Sequence, residues 1–308
     1  MAVITIREAL KQAMREEMLR DERVFLMGED IAAYGGAFAV TKGLVEEFGE
    51  ERVRDTPISE GIIVGAAMGA AVGGQRPVAE LMTVNFAILA MDQLVNHAAK
   101  MHYMFGGQWN VPMVVRTAAG WGQLSATHSQ TLEVFFAHVP GLKVIFPGTP
   151  YDSKGLLKAA IRDADPVVFI EHTSLYGVKG EVPDGDFVIP IGKSDIKRSG
   201  QHCTIATYGR MLQVSLEAAA TLANDGIEVE IVDLRTLRPL DDRTVIESVS
   251  RTHRVLIVDE GWRSGGISAE VSARIMEQAF YELDGPVERL CGAEVPMPYA
   301  PQLEREVD

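Results

Sequence analysis

The chain reads as an α/β protein of two domains, each a mostly parallel sheet covered by helices. Short apolar runs alternate with helical patterns along nearly all of its 308 residues, and strands that alternate with helices make a parallel sheet buried on both faces. The alternation breaks once, at Tyr176 to Pro190. There Gly177, Gly180, Pro183, Gly185 and Pro190 sit among the acids 181, 184 and 186, a composition that reads as an interdomain linker. The expected domains are therefore 1–180 and 190–308.

Thr5-Ile6-Arg7-Glu8 is a capping box, with a Ser/Thr oxygen three residues before a Glu, and predicts a helix to about Leu19. Val24 to Met27 is a short strand, and Val53 to Asp55 leads into a glycine-striped helix. Pro77 to Met82 reads as a strand, Phe86 to Met104 as one long helix, and Val111 to Arg116 and Leu142 to Phe146 as buried strands. Pro150-Tyr151-Asp152 opens a helix to about Ile161, and Val167 to Ile170 is the next strand. Beyond the linker, strands are expected at Cys203–Thr207, Val229–Leu234, Val255–Val258 and Val287–Leu290. Helices are expected between them at Leu212–Asn224, Asp241–Ser250 and Ile267–Phe280.

Composition narrows the function. The formal charge of −14 argues against nucleic acid, because phosphate contacts need clustered Lys and Arg, and would suit a basic protein partner. Cys203 and Cys291 have neither metal-ligand spacing nor a disulfide framework. Met1 to Arg20 has no apolar run of signal-peptide type and carries Glu8, Glu16 and Glu17, and Gly61 to Gly74 is too short to span a bilayer. A cytoplasmic protein is expected.

The most informative stretch is Thr56-Pro57-Ile58-Ser59-Glu60, followed by Gly61, Gly65, Gly69 and Gly73. Four-residue spacing keeps these glycines near one helix face, where another backbone can approach closely. Glu60 at the helix start is a candidate acid/base group if burial raises its pKa; an ordinary first-turn Glu is the plainer alternative. His128-Ser129-Gln130 follows a glycine-containing loop after a strong strand, where open α/β sheets bind ligands. A histidine there can act as acid or base, or simply hold the loop. His138, beside Pro140 and Gly141, reads as structural. Met82 and Phe86 after another strand could sandwich a flat ring or pack a core. No phosphate loop, nucleophile elbow or zinc helix occurs in the sequence.

Glu60 in its Ile-Ser-Glu setting, Met82-Thr83-Val84-Asn85-Phe86, His128-Ser129-Gln130 and Pro296-Met297-Pro298-Tyr299 occur in one order. So do Phe135 to Lys143, Asp152 to Gly155, Asp233 to Pro239 and Gly292 to Val295. Together they resemble the beta subunit of thiamine-diphosphate-dependent 2-oxoacid dehydrogenases, across essentially the whole chain. The resemblance implies a pyrimidine-binding, transketolase-like domain followed by a transketolase C-terminal-like domain. It implies an alpha chain that holds the diphosphate and Mg2+ through a Gly-Asp-Gly motif, which this sequence lacks, and a heterotetramer of two alpha and two beta chains. The glycine stripe would then be a subunit contact.

By the same resemblance Glu60 would hydrogen-bond N1′ of the aminopyrimidine and favour its imino form, while Met82 and Phe86 would pack around the pyrimidine. His128 would lie near the thiazolium and substrate and help pass the acyl group to a lipoyl group. Met113, Ala160, Ile161, Asp163 and Asp165 match positions that ligate a structural potassium ion, mostly through carbonyls. Pyruvate is the expected substrate, with branched-chain 2-oxo acids, acetoin or a non-catalytic assembly role as alternatives. The acidic surface would dock on the basic subunit-binding domain of a lipoyl acyltransferase core.

Two departures from the family stand out. The loop from Thr117 to Thr127 is a residue shorter than usual and carries Trp121 in place of a glycine run. Family members also usually continue beyond Leu303 to Asp308 through another helix.

Overall fold

The computed structural model describes residues 1–120 and 125–307; the expectation for Trp121 lies outside them. The chain forms two compact units. The first comprises Met1–Ala119, Phe135–Ile145 and Thr149–Ile191, and the second takes the described residues of 120–134, 146–148 and 192–307.

In chain order the elements up to residue 191 are β1 (Ala2–Thr5), α1 (Ile6–Arg20), β2 (Val24–Gly28), α2 (Leu44–Phe48), β3 (Val53–Asp55), α3 (Glu60–Val72), β4 (Arg76–Leu81), α4 (Ala99–Met104), β5 (Val114–Ala119), α5 (Glu133–Ala137), β6 (Lys143–Ile145), α6 (Pro150–Arg162), β7 (Val167–His172) and β8 (Lys179–Val182). The capping box forms as expected. Thr5 Oγ1 accepts from the Glu8 N–H at 3.2 Å, and the Glu8 carboxylate accepts from the Thr5 N–H at 2.8 Å. Such a cap contributes about 1 kcal/mol. Ala9, Leu10, Ala13 and Met14 turn one face of α1 into the core.

The strands of the first unit hydrogen-bond in the order β6-β7-β5-β4-β2-β3, all parallel. Strands β5 and β7 are buried throughout, as a sheet covered on both faces requires. Arg116 of β5 is 2 % exposed, between the carboxylates of Glu80 and Glu171, and the Tyr176 hydroxyl donates to Glu171 Oε2 at 2.6 Å. Burial first, then the Glu171 charge, raises the Tyr176 phenol well above its ordinary range.

Helices α1 and α6 pack on each other, stitched by charge. Lys158 Nζ meets Glu16 Oε2 and Asp186 Oδ1 at 2.5 Å each, and Arg162 Nη2 meets Glu17 Oε1 at 2.6 Å. Glu17 is fully buried.

Two expectations are corrected. The long helix at 86–104 is three pieces: a 3-10 turn at Ala87–Ala90, a π turn at Gln93–Ala98, and α4. Gly61 and Gly65 of α3 pack against this stretch. A methyl on Gly61 would lie 3.3 Å from the Leu89 carbonyl, and one on Gly65 3.3 Å from Gln93 Oε1. These glycines are thus spent on packing within the chain, while Gly69 faces open space. The stretch 176–190 is also more than a linker. Within it β8 pairs antiparallel with β1, Ala2 opposite Val182 and Thr5 opposite Lys179.

The second unit contains β9 (Asp195–Arg198), β10 (Cys203–Thr207), α7 (Arg210–Ala223), β11 (Val229–Asp233), β12 (Thr236–Arg238), α8 (Asp242–Thr252), β13 (Val255–Trp262), α9 (Ile267–Ala279), β14 (Glu288–Gly292) and α10 (Pro301–Val307). Its sheet runs β14-β13-β10-β11-β9, parallel except for β9 on β11. Ile205, Leu212, Val229, Ile231 and Val258 form its core. Strand β9 and helix α10 go beyond the sequence expectations. Among the described residues no helix is long and apolar enough to cross a membrane.

Candidate active site

The strand order of the first unit decides where a ligand can sit. From β2 the chain steps outward to β3, then returns across β2 to β4. Reversal of direction opens a crevice at the carboxyl ends of the strands. The segments that leave that edge carry Glu29 after β2, Glu60 after β3, and Met82 and Phe86 after β4. Two of the loops are tied together. The Thr56 N–H donates to the Gly28 carbonyl at 2.9 Å, and the Ala32 N–H donates to Asp55 Oδ1 at 2.7 Å.

Glu60 is the first residue of α3, with the Ser59 carbonyl accepting from the Ile63 N–H at 2.9 Å. It is 7 % exposed. Among the described residues its carboxylate makes no hydrogen bond or ion pair, and the like charge of Glu29 lies nearby. Burial first, then Asp30 and Glu60, raises the pKa of the half-buried Glu29. Sequence reasoning missed Glu29, although its position directly after a buried strand was a usable signal.

Met82 and Phe86 are each half-buried. The turn between them is fixed by the Val84 N–H on the Ala118 carbonyl at 2.7 Å and the Phe86 N–H on the Thr83 carbonyl at 3.1 Å. Asn85 Nδ2 donates to Thr83 Oγ1 at 3.0 Å. The structure therefore brings Glu60, Met82 and Phe86 to one edge of one sheet. The hydroxyls of Thr56, just after β3, and of Thr117, which pairs with Leu81 in register, are buried and have no partner in the structure. A buried carboxylate without a donor, orphaned hydroxyls and two half-buried apolar side chains fit a flat heteroaromatic ring carrying N–H groups.

His128 belongs to the second unit and is exposed. Its Nδ1 lies 3.0 Å from Thr127 Oγ1, and its N–H donates to the Ser125 carbonyl at 3.2 Å. Ser129 beside it is 2 % exposed.

Of the residues expected to ligate potassium, Ala160, Ile161, Asp163 and Asp165 lie at the carboxyl end of α6, the negative end of the helix, and Met113 directly precedes β5. Arg76 Nη1 already donates to the carbonyls of Ile161 at 2.8 Å and Asp163 at 2.9 Å. Lys143 Nζ meets Asp163 Oδ1 at 2.7 Å and Asp165 Oδ2 at 3.0 Å. The Ala160 carbonyl accepts from the Asp163 N–H at 3.2 Å, and that of Met113 from the Val167 N–H at 3.0 Å. Each of these four carbonyls retains a second lone pair for a hard cation. Among the described residues no group of three or more His, Cys, Asp or Glu is placed to hold a metal ion.

Comparison with known proteins agrees with the fold. Residues 2–179 match the family model for the transketolase pyrimidine-binding domain, and residues 192–308 that for the transketolase C-terminal domain. The chain is 49 % identical to the 2-oxoisovalerate dehydrogenase subunit beta of Bacillus subtilis, over 99 % of this chain and 94 % of that one. It is 50 % identical to the pyruvate dehydrogenase E1 component subunit beta of Rhizobium meliloti, over 99 % and 67 %. It is 49 % identical to the acetoin:2,6-dichlorophenolindophenol oxidoreductase subunit beta of Cupriavidus necator, over 98 % and 92 %. A split-gene transketolase, solved as an inactive beta4 tetramer, superimposes with a TM-score of 0.82 at 23 % identity, over 98 % of this chain and 93 % of that one. With both domain models matched in order and relatives near half identity over almost the full length, the chain belongs to the family of thiamine-diphosphate-dependent 2-oxoacid dehydrogenase beta subunits.

Proposed function

We propose that the chain is the beta subunit of a pyruvate dehydrogenase first component. With an alpha chain it would decarboxylate pyruvate oxidatively and pass the acyl group to the lipoyl groups of an acyltransferase core. The observation that carries this reading is Glu60: a buried carboxylate without a donor, at the edge of the sheet that also presents Met82 and Phe86. Thiamine diphosphate, when bound, supplies the electron sink for decarboxylation.

The residues of this chain then have defined tasks. Glu60 would hold a proton between its carboxylate and N1′ of the aminopyrimidine. Met82 and Phe86 fix the ring plane and exclude water. His128 serves the substrate and lipoyl end. The diphosphate and Mg2+ belong to the alpha chain, in a heterotetramer of two alpha and two beta chains. The exposed Ile58, Ile62 and Leu89 around Glu60 support a partner surface there. The remaining carbonyl lone pairs of Met113, Ala160, Ile161 and Asp163, with Asp165 at the rim, would ligate a structural potassium ion, the Ile161 and Asp163 carbonyls also accepting from Arg76. The working compartment is the cytoplasm.

Relatives named for 2-oxoisovalerate and for acetoin keep both substrates as second readings. The test is coexpression with the neighbouring alpha-type chain, followed by dye reduction with thiamine diphosphate, Mg2+ and a panel of 2-oxo acids plus acetoin. Turnover fastest with pyruvate supports the proposal, and preference for another substrate replaces it. No turnover from an assembled heterotetramer points to a non-catalytic assembly subunit.

A further inference from the structure

The second unit holds a buried acid that the chemistry above does not use. Glu133, Tyr208 and Asp259 are each at most 4 % exposed. The Tyr208 hydroxyl lies 2.7 Å from Glu133 Oε1 and 2.7 Å from Asp259 Oδ1. A phenol carries one proton and can donate to only one of these oxygens. The other contact needs a second proton, held on a carboxyl group.

Backbone donors say which one. Asp259 Oδ1 accepts from the Gly261 N–H at 2.9 Å, and Oδ2 accepts from the Ser268 N–H at 2.9 Å. Ser268 lies in the first turn of α9, where the helix dipole favours negative charge. Glu133 Oε2 has no partner in the structure. The proton therefore belongs on Glu133, and the chain of donors runs from Glu133 through Tyr208 to Asp259. Burial first, then the Asp259 charge, pushes the Glu133 carboxyl up to about 8. Burial and the same two carboxylates keep Tyr208 a phenol. Among the described residues Glu260 of β13 also acts on Glu133, and the Arg210 guanidinium of α7 lies 3.5 Å from Glu260 Oε1. His128 precedes Glu133 by five positions on the same segment.

We propose that Glu133 is a positioning residue that, as a neutral acid, clamps the end of the His128 segment through Tyr208 to Asp259, and that its ionisation releases the clamp. Close packing supports the clamp. Ser129 and Thr131 line a small cleft with Glu260, Trp262 and Met297, and a methyl on Gly261 would lie 3.5 Å from Thr131 Oγ1. Ionised Glu133 would put two anionic oxygens on one phenol in a dry site. The catalytic part of the inference rests on the reading of His128 given above.

Hydrogen exchange of the peptide 125–134 tests it in the assembled complex with the alpha chain, from pH 6 to 9, corrected for intrinsic exchange. Protection should stay flat up to neutral pH and then fall, by up to about tenfold per pH unit above the midpoint. Glu133→Gln keeps a neutral donor and should hold protection flat to pH 9. Tyr208→Phe should lose protection severalfold below the midpoint and match the released wild type above it. Wild-type protection independent of pH overturns the proposal, as does a Glu133→Gln profile that falls like the wild type. Exchange needs no turnover, so inactivity toward every 2-oxo acid would overturn the functional reading and leave this result standing. In an active complex, the alkaline limb of kcat/KM should move in Glu133→Gln.

Discussion

Gly28 faces the main-chain carbonyl of Glu80 so closely that an added methyl would lie 2.7 Å from that oxygen. The two residues pair in register across β2 and β4, where the strand order reverses. The close approach lets the chain turn into the crevice directly after a buried strand. Gly28→Ala should therefore push the strands apart and cost about 1–3 kcal/mol. Urea denaturation of the purified chain measures this, and an unchanged midpoint would show that the strands yield without strain.

Glu17 is fully buried and holds Arg162 at 2.6 Å and Arg20 at 2.8 Å. Glu17→Ala removes the anion between two guanidiniums in the α1–α6 contact. The expected loss is about 3 kcal/mol, the range for breaking a buried pair. Arg15→Ala, which breaks a solvated pair with Glu47, should stay within about 1 kcal/mol. Equal losses in the two variants would contradict the role given to burial.

Two groups set opposite pH limbs of stability. The Arg23 side chain, with Arg76 farther off, lowers Asp21 to about 2. The folded state favours its charged form, so this stabilisation is present above the ordinary carboxylate range and is lost as pH falls toward 2. Glu133, raised to about 8, works the other way. The folded state favours its neutral form, so stability declines as pH rises from the ordinary carboxylate range to about 8. Glu133→Gln should accordingly be more stable than wild type at pH 7, by about 1–3 kcal/mol. That advantage should vanish near pH 4. Thermal midpoints across pH check both signs.

Glu60→Gln should leave the heterotetramer assembled and reduce turnover by about 10²–10⁴-fold, the usual cost of losing a proton relay. Wild-type-like turnover would remove Glu60 from the mechanism. The isolated chain should bind thiamine diphosphate poorly, because the proposed diphosphate site is on the alpha chain. Calorimetry on the chain alone would expose tight binding if that division is wrong.

Potassium should raise the thermal midpoint over an equal concentration of sodium, and Arg76→Ala should enlarge the difference by freeing the carbonyls of Ile161 and Asp163. Equal midpoints in both salts would leave Arg76 and Lys143 as the cations of that corner.

Much of the architecture was legible because its signals are local. The Thr5–Glu8 cap, Pro150 at the start of α6, and the alternating apolar runs each act within a few residues. What escaped depends on distant partners. The helical pattern at 86–104 gives no sign that Gly61 and Gly65 will press on Leu89 and Gln93. Lys179-Gly180-Glu181-Val182 reads as linker because its strand character comes from pairing with Ala2 to Thr5. At the site, Glu60 stood out through its sequence setting. Glu133 gave no signal in the sequence, since Tyr208 and Asp259 are 75 and 126 positions away.

The ribbon of β1 and β8 sets a schedule for synthesis. Ala2 to Thr5 are made well before their hydrogen-bonding partners, residues 179–182. At typical elongation rates the wait is on the order of ten to thirty seconds. Through that interval β1 has an unsatisfied backbone edge, and its domain cannot finish closing until β8 has been translated. A chaperone that shields β1 would act on this domain while β8 is still untranslated.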